Sequence, residues 1–297
     1  MEHELRTIGK IPGNVELAEY LKNKFIPIKF CYPNEGGDRW HELRRNSEYS
    51  LGERELIAFR DGLKKIKEYV GGSSLRIIHL GPGDGIELPP LYGKEGFSLD
   101  TEYVGIDISK QMISNTIRLN KLILEKVPSL WYLTDIETEG NLKDILSNLD
   151  EKTKKENLML LTNQGVLISN PKTLPIISNS MKKGDYLFIT LEGDDPARRD
   201  EVLATYNLEE VRNILKVGLE RAGITEGKFI PTRFNEKLNQ AEVYFEQKNG
   251  KKILCLTSYK PKSKEQIKER LEENKLKTIF VDYFPESHSY AILCRRQ

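Results

Sequence analysis

Apolar residues recur along the chain at two different periods. Over 51–70, LGERELIAFRDGLKKIKEYV, they fall at 56, 57, 59, 63, 66 and 70, the spacing of one helix face with charge on the other. Residues 14–24 carry a shorter version of this pattern, with Asn14 placed to cap it. Between them, 25–48 is punctuated by Pro27, Pro33, Gly36 and Gly37 and reads as irregular. From 75 the period changes. LRIIHL (75–80) is a short apolar run with β-branched residues, expected as a buried strand. Similar runs follow at 103–107, 130–134, 157–162 and 185–192, separated by helical stretches near 109–125, 140–149 and 171–182. This alternation predicts right-handed βαβ crossovers and a mostly parallel α/β sheet covered on both faces.

After Pro196 the rhythm shifts. A helix fits 208–222, and the runs AEVYFEQ and KKILCLTSYK flank Lys248-Asn249-Gly250, a hairpin signal if Asn249 and Gly250 both take positive φ. A helix at 262–274 leads to strands at 278–284 and 289–294, expected to rejoin the main sheet as an antiparallel edge. The expected organisation is a helical N-terminal cap over 1–70, an α/β ligand-binding domain over 71–194 and 261–297, and an inserted α+β cap over 195–260.

Lys+Arg is 46 against Asp+Glu 45, a net charge of +1, and no aromatic–basic stripe is visible. This argues against a nucleic-acid binder. Cys31, Cys255 and Cys294 are far apart and odd in number, so neither a disulfide framework nor a zinc site can be built from their spacing. The N-terminus lacks an apolar signal core, and no apolar run nears the ~20 residues of a membrane span. A cytoplasmic protein without membrane contact is expected.

Candidate chemistry begins where the strand at 75–80 ends, in IIHLGPGDGIELPPL (77–91). Gly81, Gly83 and Gly85 permit unusual backbone angles and close ligand approach. The spacing is G-x-G-x-G with Pro82 inside it, not the dinucleotide pattern G-x-G-x-x-G. Asp84 in the loop disfavours a phosphate and suits a cationic amine. Asp107 ends the next strand, near the spacing at which an acid grips a ribose diol, and Asp135 ends the one after. Singly, Asp107 reads equally as a helix N-cap and Asp135 as a solvated loop acid. Jointly, three acids on the carboxyl edge of a parallel sheet match an amine, a ribose and an adenine amino group, which together describe S-adenosylmethionine.

These residues resemble the class I S-adenosylmethionine-dependent methyltransferases, whose Rossmann-like sheet is mostly parallel with an antiparallel final strand. More narrowly, the chain resembles the histidine-specific methyltransferase family of ergothioneine biosynthesis over most of its length. HLGPGDG and YVGIDIS are similar to the family's cofactor motifs. The resemblance implies a cofactor set of Gly81, Pro82, Gly83, Asp84, Gly85, Asp107, Ile108, Asp135 and Ile136. SEYSLGERE (47–55) is similar to E-Y-Y-P-T-R-x-E, with Tyr49 and Glu55 in register. VLISN (166–170) puts Asn170 at the family's substrate asparagine. ITLEGDDPARRDEVLATYN (189–207) puts Tyr206 at its tyrosine, and LTSYKPKS (256–263) puts Ser258 at its serine.

The departures lie in the acceptor half. The family's substrate-reading glutamate is Leu256, the basic residue after the glycine loop is Glu87, and the PTR triplet is Leu51-Gly52-Glu53. Histidine is therefore not carried over as the acceptor. Methyl transfer needs a neutral nucleophile held in line with the methyl carbon, and little acid–base machinery besides. Tyr49, Asn170, Tyr206 and Ser258 suit an amino-acid-like amine, with Leu256 favouring an apolar side chain over imidazole. On the residues alone, Tyr49 and Tyr206 read first as amphipathic surface tyrosines, Ser258 as a strand residue facing solvent, and Asn170 before Pro171 as a turn residue or N-cap. His79 reads as a hydrogen-bonded core residue, the pairs Arg44-Arg45, Arg198-Arg199 and Arg295-Arg296 as solvated faces, and Asp194-Asp195 as a solvated loop. Two other readings stay open: an aminopropyl transferase using the decarboxylated cofactor, and a cofactor-binding protein without turnover.

Overall fold

The computed structural model describes residues 4–9, 11–70, 75–152, 155–162 and 165–297. The alternation from 75 onward builds one large sheet. Its strands are β1 (Glu4–Thr7), β2 (Leu75–Leu80), β3 (Glu102–Asp107), β4 (Ser129–Leu133), β5 (Glu156–Leu161) and β6 (Tyr186–Glu192), ordered β1-β4-β3-β2-β5-β6 and all parallel. After a second, smaller sheet formed by β7 (Gly227–Asn235), β8 (Gln240–Gln247) and β9 (Lys252–Tyr259), the chain returns as β10 (Leu276–Phe284) and β11 (Ser289–Arg296). Only β11 runs antiparallel to the rest of the large sheet. It slots between β6 and β10, so β10 at the edge points the same way as β6. Consecutive strands leave β2 in opposite directions, β3 to one side and β5 to the other. That reversal is the point where ligands bind outside the carboxyl ends of open α/β sheets.

Helices cover both faces. Before β2 come α1 (Asn14–Lys22), a 3-10 turn at Ile28–Phe30, α2 (Glu35–Leu43) and α3 (Leu51–Tyr69). Between strands lie α4 (Leu88–Leu91), α5 (Lys110–Leu119), α6 (Lys121–Leu124), α7 (Asn141–Lys152), α8 (Gly165–Ser169) and α9 (Thr173–Ser180). Helices α10 (Arg199–Thr205) and α11 (Glu209–Arg221) precede the small sheet, and α12 (Lys264–Glu272) follows it. One core packs α7, α9 and α12 on one face of the large sheet, through Ile78, Met159 and Ile292. A second packs α3 and α5 on the other, through Phe59, Trp131 and Phe188.

The differences from the sequence reading have local causes. The 25–48 stretch is not irregular throughout, because α2 starts on the two glycines that read as breakers. Both are buried, and a Cβ at Gly36 would fall 1.7 Å from the Cys31 carbonyl oxygen. One at Gly37 would sit 3.0 Å from Gln111 Cβ. Here glycine shapes a contact rather than ending a helix. Gly13, not Asn14, occupies the cap position of α1. The stretch at 109–125 splits at Asn120, whose side-chain amide donates to the Asp84 carbonyl at 3.2 Å and to the Thr116 carbonyl at 3.0 Å. The hairpin forms, but Asn249 does not take positive φ. Gly250 does, at 78°. Gly250 N–H donates to Gln247 at 2.8 Å and Gln247 N–H to Lys251 at 2.9 Å, a three-residue loop closed by its glycine.

Strand β7 was masked in the sequence by Pro231. It is tolerated because β7 pairs only with β8, with a register shift between Ile230 and Arg233. The segment 1–70 is not only helical, since β1 joins the large sheet beside β4. Nor does it stand apart from the inserted segment: Leu17, Ile26, Phe30, Ile214, Val243 and Cys255 share a third core. All three cysteines are buried thiols. Among the described residues, no helix is long and apolar enough to cross a membrane.

Candidate active site

Between the third core and the carboxyl edge of the large sheet lies a cleft enclosing about 1330 Å³, its mouth included. The glycine loop forms one wall. Gly81, Gly83 and Gly85 take φ of 70°, 60° and 68°, which side chains with a Cβ rarely adopt. Gly81, Pro82, Gly83 and Asp84 line the cleft. Gly85 does not, and a Cβ there would lie 2.5 Å from Thr116 Cγ2 on α5. It lets the loop seat on the helix.

The three expected acids all reach this cleft, as do Ile108 and Ile136. Asp107 is not the N-cap of α5. Ser109 is, its Oγ accepting from Met112 N–H, while Asp107 accepts from Ser109 N–H at 2.9 Å. Burial lifts the Asp107 carboxyl to about 7, against the pull of the Ser109, Gly83 and Ile108 amides. Asp135 is not a solvated acid but 1% exposed. It accepts from Glu137 N–H at 2.8 Å and Thr138 Oγ1 at 3.0 Å, and pairs with Lys29 Nζ at 2.9 Å. Burial opposes charge on Lys29, yet Asp135 and Glu16 hold its pKa above the usual lysine value. Asp84 stands 3.9 Å from both His41 Nδ1 and Arg44 Nε, beyond hydrogen-bond reach of either.

Opposite the loop, Tyr49, Tyr206, Leu256 and Ser258 line the cleft and are buried, so the surface reading of these residues does not hold. Tyr206 donates to Ser258 Oγ at 2.9 Å. Burial pushes the Tyr49 phenol well above its usual pKa. Asn170 is not in the lining. Its amide donates to Glu137 Oε1 at 2.7 Å, and its own Oδ1 accepts from Lys172 N–H, closing a turn before α9. It touches the cleft only through Glu137.

Lining groups beyond the expected site residues include one, Lys260, that carries no plain signal in the sequence, and two, Glu55 and Glu87, that the sequence marked without giving them a role in the cleft. Lys260 lines the cleft and pairs with the buried Glu192 at the end of β6, which also contacts Arg54 at 2.9 Å. Burial opposes its charge too, but Glu192 keeps the ammonium strongly basic. Glu55 sits among these charges. Burial lifts it to about 8, with Lys260 drawing it down and Glu192 pushing it up. Glu87, lifted by burial to about 7, accepts from Thr162 Oγ1 at 2.9 Å and leaves Oε2 without a hydrogen-bond partner among the described residues. Since Thr162 donates to Glu87, its oxygen must accept from His79 Nε2 at 3.0 Å, and His79 Nδ1 then accepts from Tyr103 at 3.1 Å. Burial lowers the imidazole's pKa to about 3, so the ring is neutral and Nδ1 is the nitrogen left to accept. His79 is thus the core residue its strand implied.

Arg44, which read as a solvated cation, is inside the cleft with its side chain 9% exposed. The other pairs behave differently. Arg199 clasps the buried Asp194 through two hydrogen bonds, at 3.1 and 2.7 Å, and Asp195 meets His288 Nδ1 at 2.8 Å. The donor set fits an adenosyl amino acid: acids at successive strand ends, a loop open to close approach, and apolar Ile108, Ile136 and Met112 between them.

Residues 14–215 match a protein family described as "Histidine-specific methyltransferase, SAM-dependent". A search of curated proteins returned no match. Among solved structures, the CcbJ methyltransferase of Streptomyces caelestis is 10% identical with a TM-score of 0.47, over 84% of this chain and 99% of that one. Magnesium protoporphyrin IX methyltransferase of Synechocystis PCC 6803, solved with bound SAH, is 12% identical with a TM-score of 0.48, over 89% and 95%. The N-methyltransferase NodS of Bradyrhizobium japonicum WM9 is 10% identical with a TM-score of 0.47, over 89% and 99%.

Proposed function

The chain belongs to the histidine-specific, S-adenosylmethionine-dependent methyltransferase family, and from that premise we propose that it N-methylates a small amine of amino-acid type by in-line displacement. The observation that carries this reading is the charge of the cleft wall. Six acids line it, Glu55, Asp84, Glu87, Asp107, Asp135 and Glu137, against three cations, Lys29, Arg44 and Lys260. Two of the cations are already neutralised by buried partners, Lys29 by Asp135 and Lys260 by Glu192. With Asp135 paired to Lys29, five acids remain against Arg44, and burial lifts Glu55, Glu87 and Asp107 to about 8, 7 and 7, so the wall can take up protons near neutral pH, which suits an amine acceptor that must give one up.

The bound cofactor supplies an electrophilic methyl group on a sulfonium. In this reading Asp107 takes the ribose hydroxyls, Asp135 the adenine amino group between Ile108 and Ile136, and Asp84 the ammonium. Gly81, Pro82 and Gly83 leave room for the chain between them, and Gly85 holds the loop in shape. An ammonium acceptor must lose a proton before it can attack. Glu55 and Glu87, with values of about 8 and 7, are carboxylates basic enough to share that proton near neutral pH. Tyr49, Tyr206 and Ser258 orient the acceptor, Asn170 acts on it through Glu137, and Leu256 gives its side chain an apolar wall. Membership in a methyltransferase family sets aside the aminopropyl-transfer and non-catalytic readings.

The test is transfer of an isotopically labelled methyl group to a panel of free amino acids, their N-blocked forms and simple amines, with fragmentation to locate the label. Label on nitrogen of free amines, with apolar or aromatic side chains preferred over histidine, is the expected result. Label on oxygen or carbon, or histidine as the best acceptor, overturns it.

A further inference from the structure

We propose that Arg44, reaching across the space left by Gly52, holds the carboxylate of the cofactor's amino-acid tail and makes the protein select the full cofactor over its decarboxylated form. The inference rests on the cofactor lying along the glycine loop, as in the reading above.

The geometry begins with a gap. Arg44 Nε is 3.9 Å from Asp84 Oδ1, too far for a hydrogen bond, and the guanidinium finds no hydrogen-bond acceptor among the described residues. The guanidinium lies 5.9 Å from the Tyr49 ring centroid and in the field of Asp84 and Glu87, but no carboxylate among the described residues is within hydrogen-bond reach, so its donors face the cleft ready for a ligand anion. Its neighbours on α2 point the same way. Trp40 Nε1 is buried without a partner and stands 3.2 Å from where a Cβ on Gly83 would be. Trp40 and Arg44 are four residues apart and so share a helix face. Trp40 on α2 and Arg44 at its C-cap present donors beside the loop carboxylate of Asp84, with Arg44 Nε 3.9 Å from it. That is the complement of a zwitterion, with its carboxylate toward Arg44 and Trp40 and its ammonium toward Asp84.

Gly52 shows that the arrangement is built. A Cβ at this position would lie 1.1 Å from Arg44 Nη1 and 2.3 Å from its Cζ. Any other residue would drive the guanidinium off its site. The sequence departures thereby acquire a common cause. The arginine of the PTR triplet is absent at Glu53 and the basic residue after the loop is absent at Glu87, while the glycine between Leu51 and Glu53 opens the path for a cation from a different helix.

The test is calorimetric titration of the purified protein with S-adenosylmethionine, S-adenosylhomocysteine and decarboxylated S-adenosylmethionine. Wild type should prefer the carboxylate-bearing pair, and Arg44→Gln should weaken these by about ten- to a hundredfold while changing the decarboxylated form little. Gly52→Ala removes a helix-disfavouring glycine, so its fold is retained, yet it should lose affinity for the same two ligands by crowding the guanidinium. Arg44→Lys should recover part of the loss. An unchanged preference in Arg44→Gln, or an effect confined to the KM of the acceptor, overturns the assignment. Failure of wild type to bind any of the three overturns instead the placement of the cofactor at the glycine loop.

Discussion

Replacing Asp107 by asparagine separates two opposite effects of one buried carboxylate. In the free protein its pKa is raised from 3.8 to about 7, chiefly by burial. A carboxyl that is harder to ionise when folded stabilises the fold only while protonated. Its contribution is complete below about pH 4 and is lost as pH rises through 7. Carried to pH 8, the shift corresponds to at most about 4 kcal/mol. Asp107→Asn should therefore melt several degrees higher than wild type at pH 8 and no higher at pH 4. Cofactor affinity moves the other way. If the ionised form takes the ribose hydroxyls, wild-type affinity should be nearly constant above pH 8 and about a hundredfold weaker at pH 5, where about one molecule in a hundred is ionised. The asparagine variant loses a charge-assisted pair, about 1.5–3 kcal/mol or roughly ten- to 150-fold at pH 8, and its affinity should lack the hundredfold fall toward pH 5, keeping only what Glu55 and Glu87 impose. Calorimetric titration from pH 5 to 9 beside thermal melts measures both. A variant that keeps the full hundredfold acid limb, or that is less stable at pH 8, refutes the role given to Asp107.

Two further outcomes concern the scaffold. Arg76 is 0% exposed and donates to Glu102 at 2.9 Å, to the Leu149 carbonyl at 3.1 Å and to Asn157 at 3.2 Å. Truncation to alanine should cost about 3–5 kcal/mol in urea unfolding, because it strands buried acceptors, and Arg76→Met should cost less. Burial lifts the thiols of Cys31, Cys255 and Cys294, Cys31 to about 12. A thiol reagent at pH 8 should find none of them until denaturant is added, and labelling of the native protein would contradict their burial.

The parts of the chain legible in its sequence are those where a single period governs a whole element. LRIIHL and its successors are buried on both faces, so their runs are continuous and their ends sharp, and the acids that follow them were readable as a set. The acceptor side was harder for a physical reason. Arg44, Glu55 and Lys260 are charged residues on elements whose other faces are solvated, and a periodic pattern assigns charges to water. Only the packing of α3, the C-cap of α2 and the residue after β9 around one cleft turns those charges inward. Gly36 and Gly37 misled for a similar reason: a glycine that ends a helix and one that admits a neighbour's backbone are the same letter. The role of Asn170 was displaced by one contact, because sequence fixes which residue follows Leu167 and Ser169 but not that Glu137 stands between it and the cleft.

The core shared by Leu17, Phe30, Ile214 and Val243 has a bearing on how the chain is made. Its two halves are separated in synthesis by β2 through β6, so the residues that cap the cleft early in the chain wait with their apolar faces bare until β8 and β9 emerge. The rim formed by the carboxyl ends of the parallel strands is complete before its roof is. A ligand present during translation would meet an open ledge first and a chamber only later.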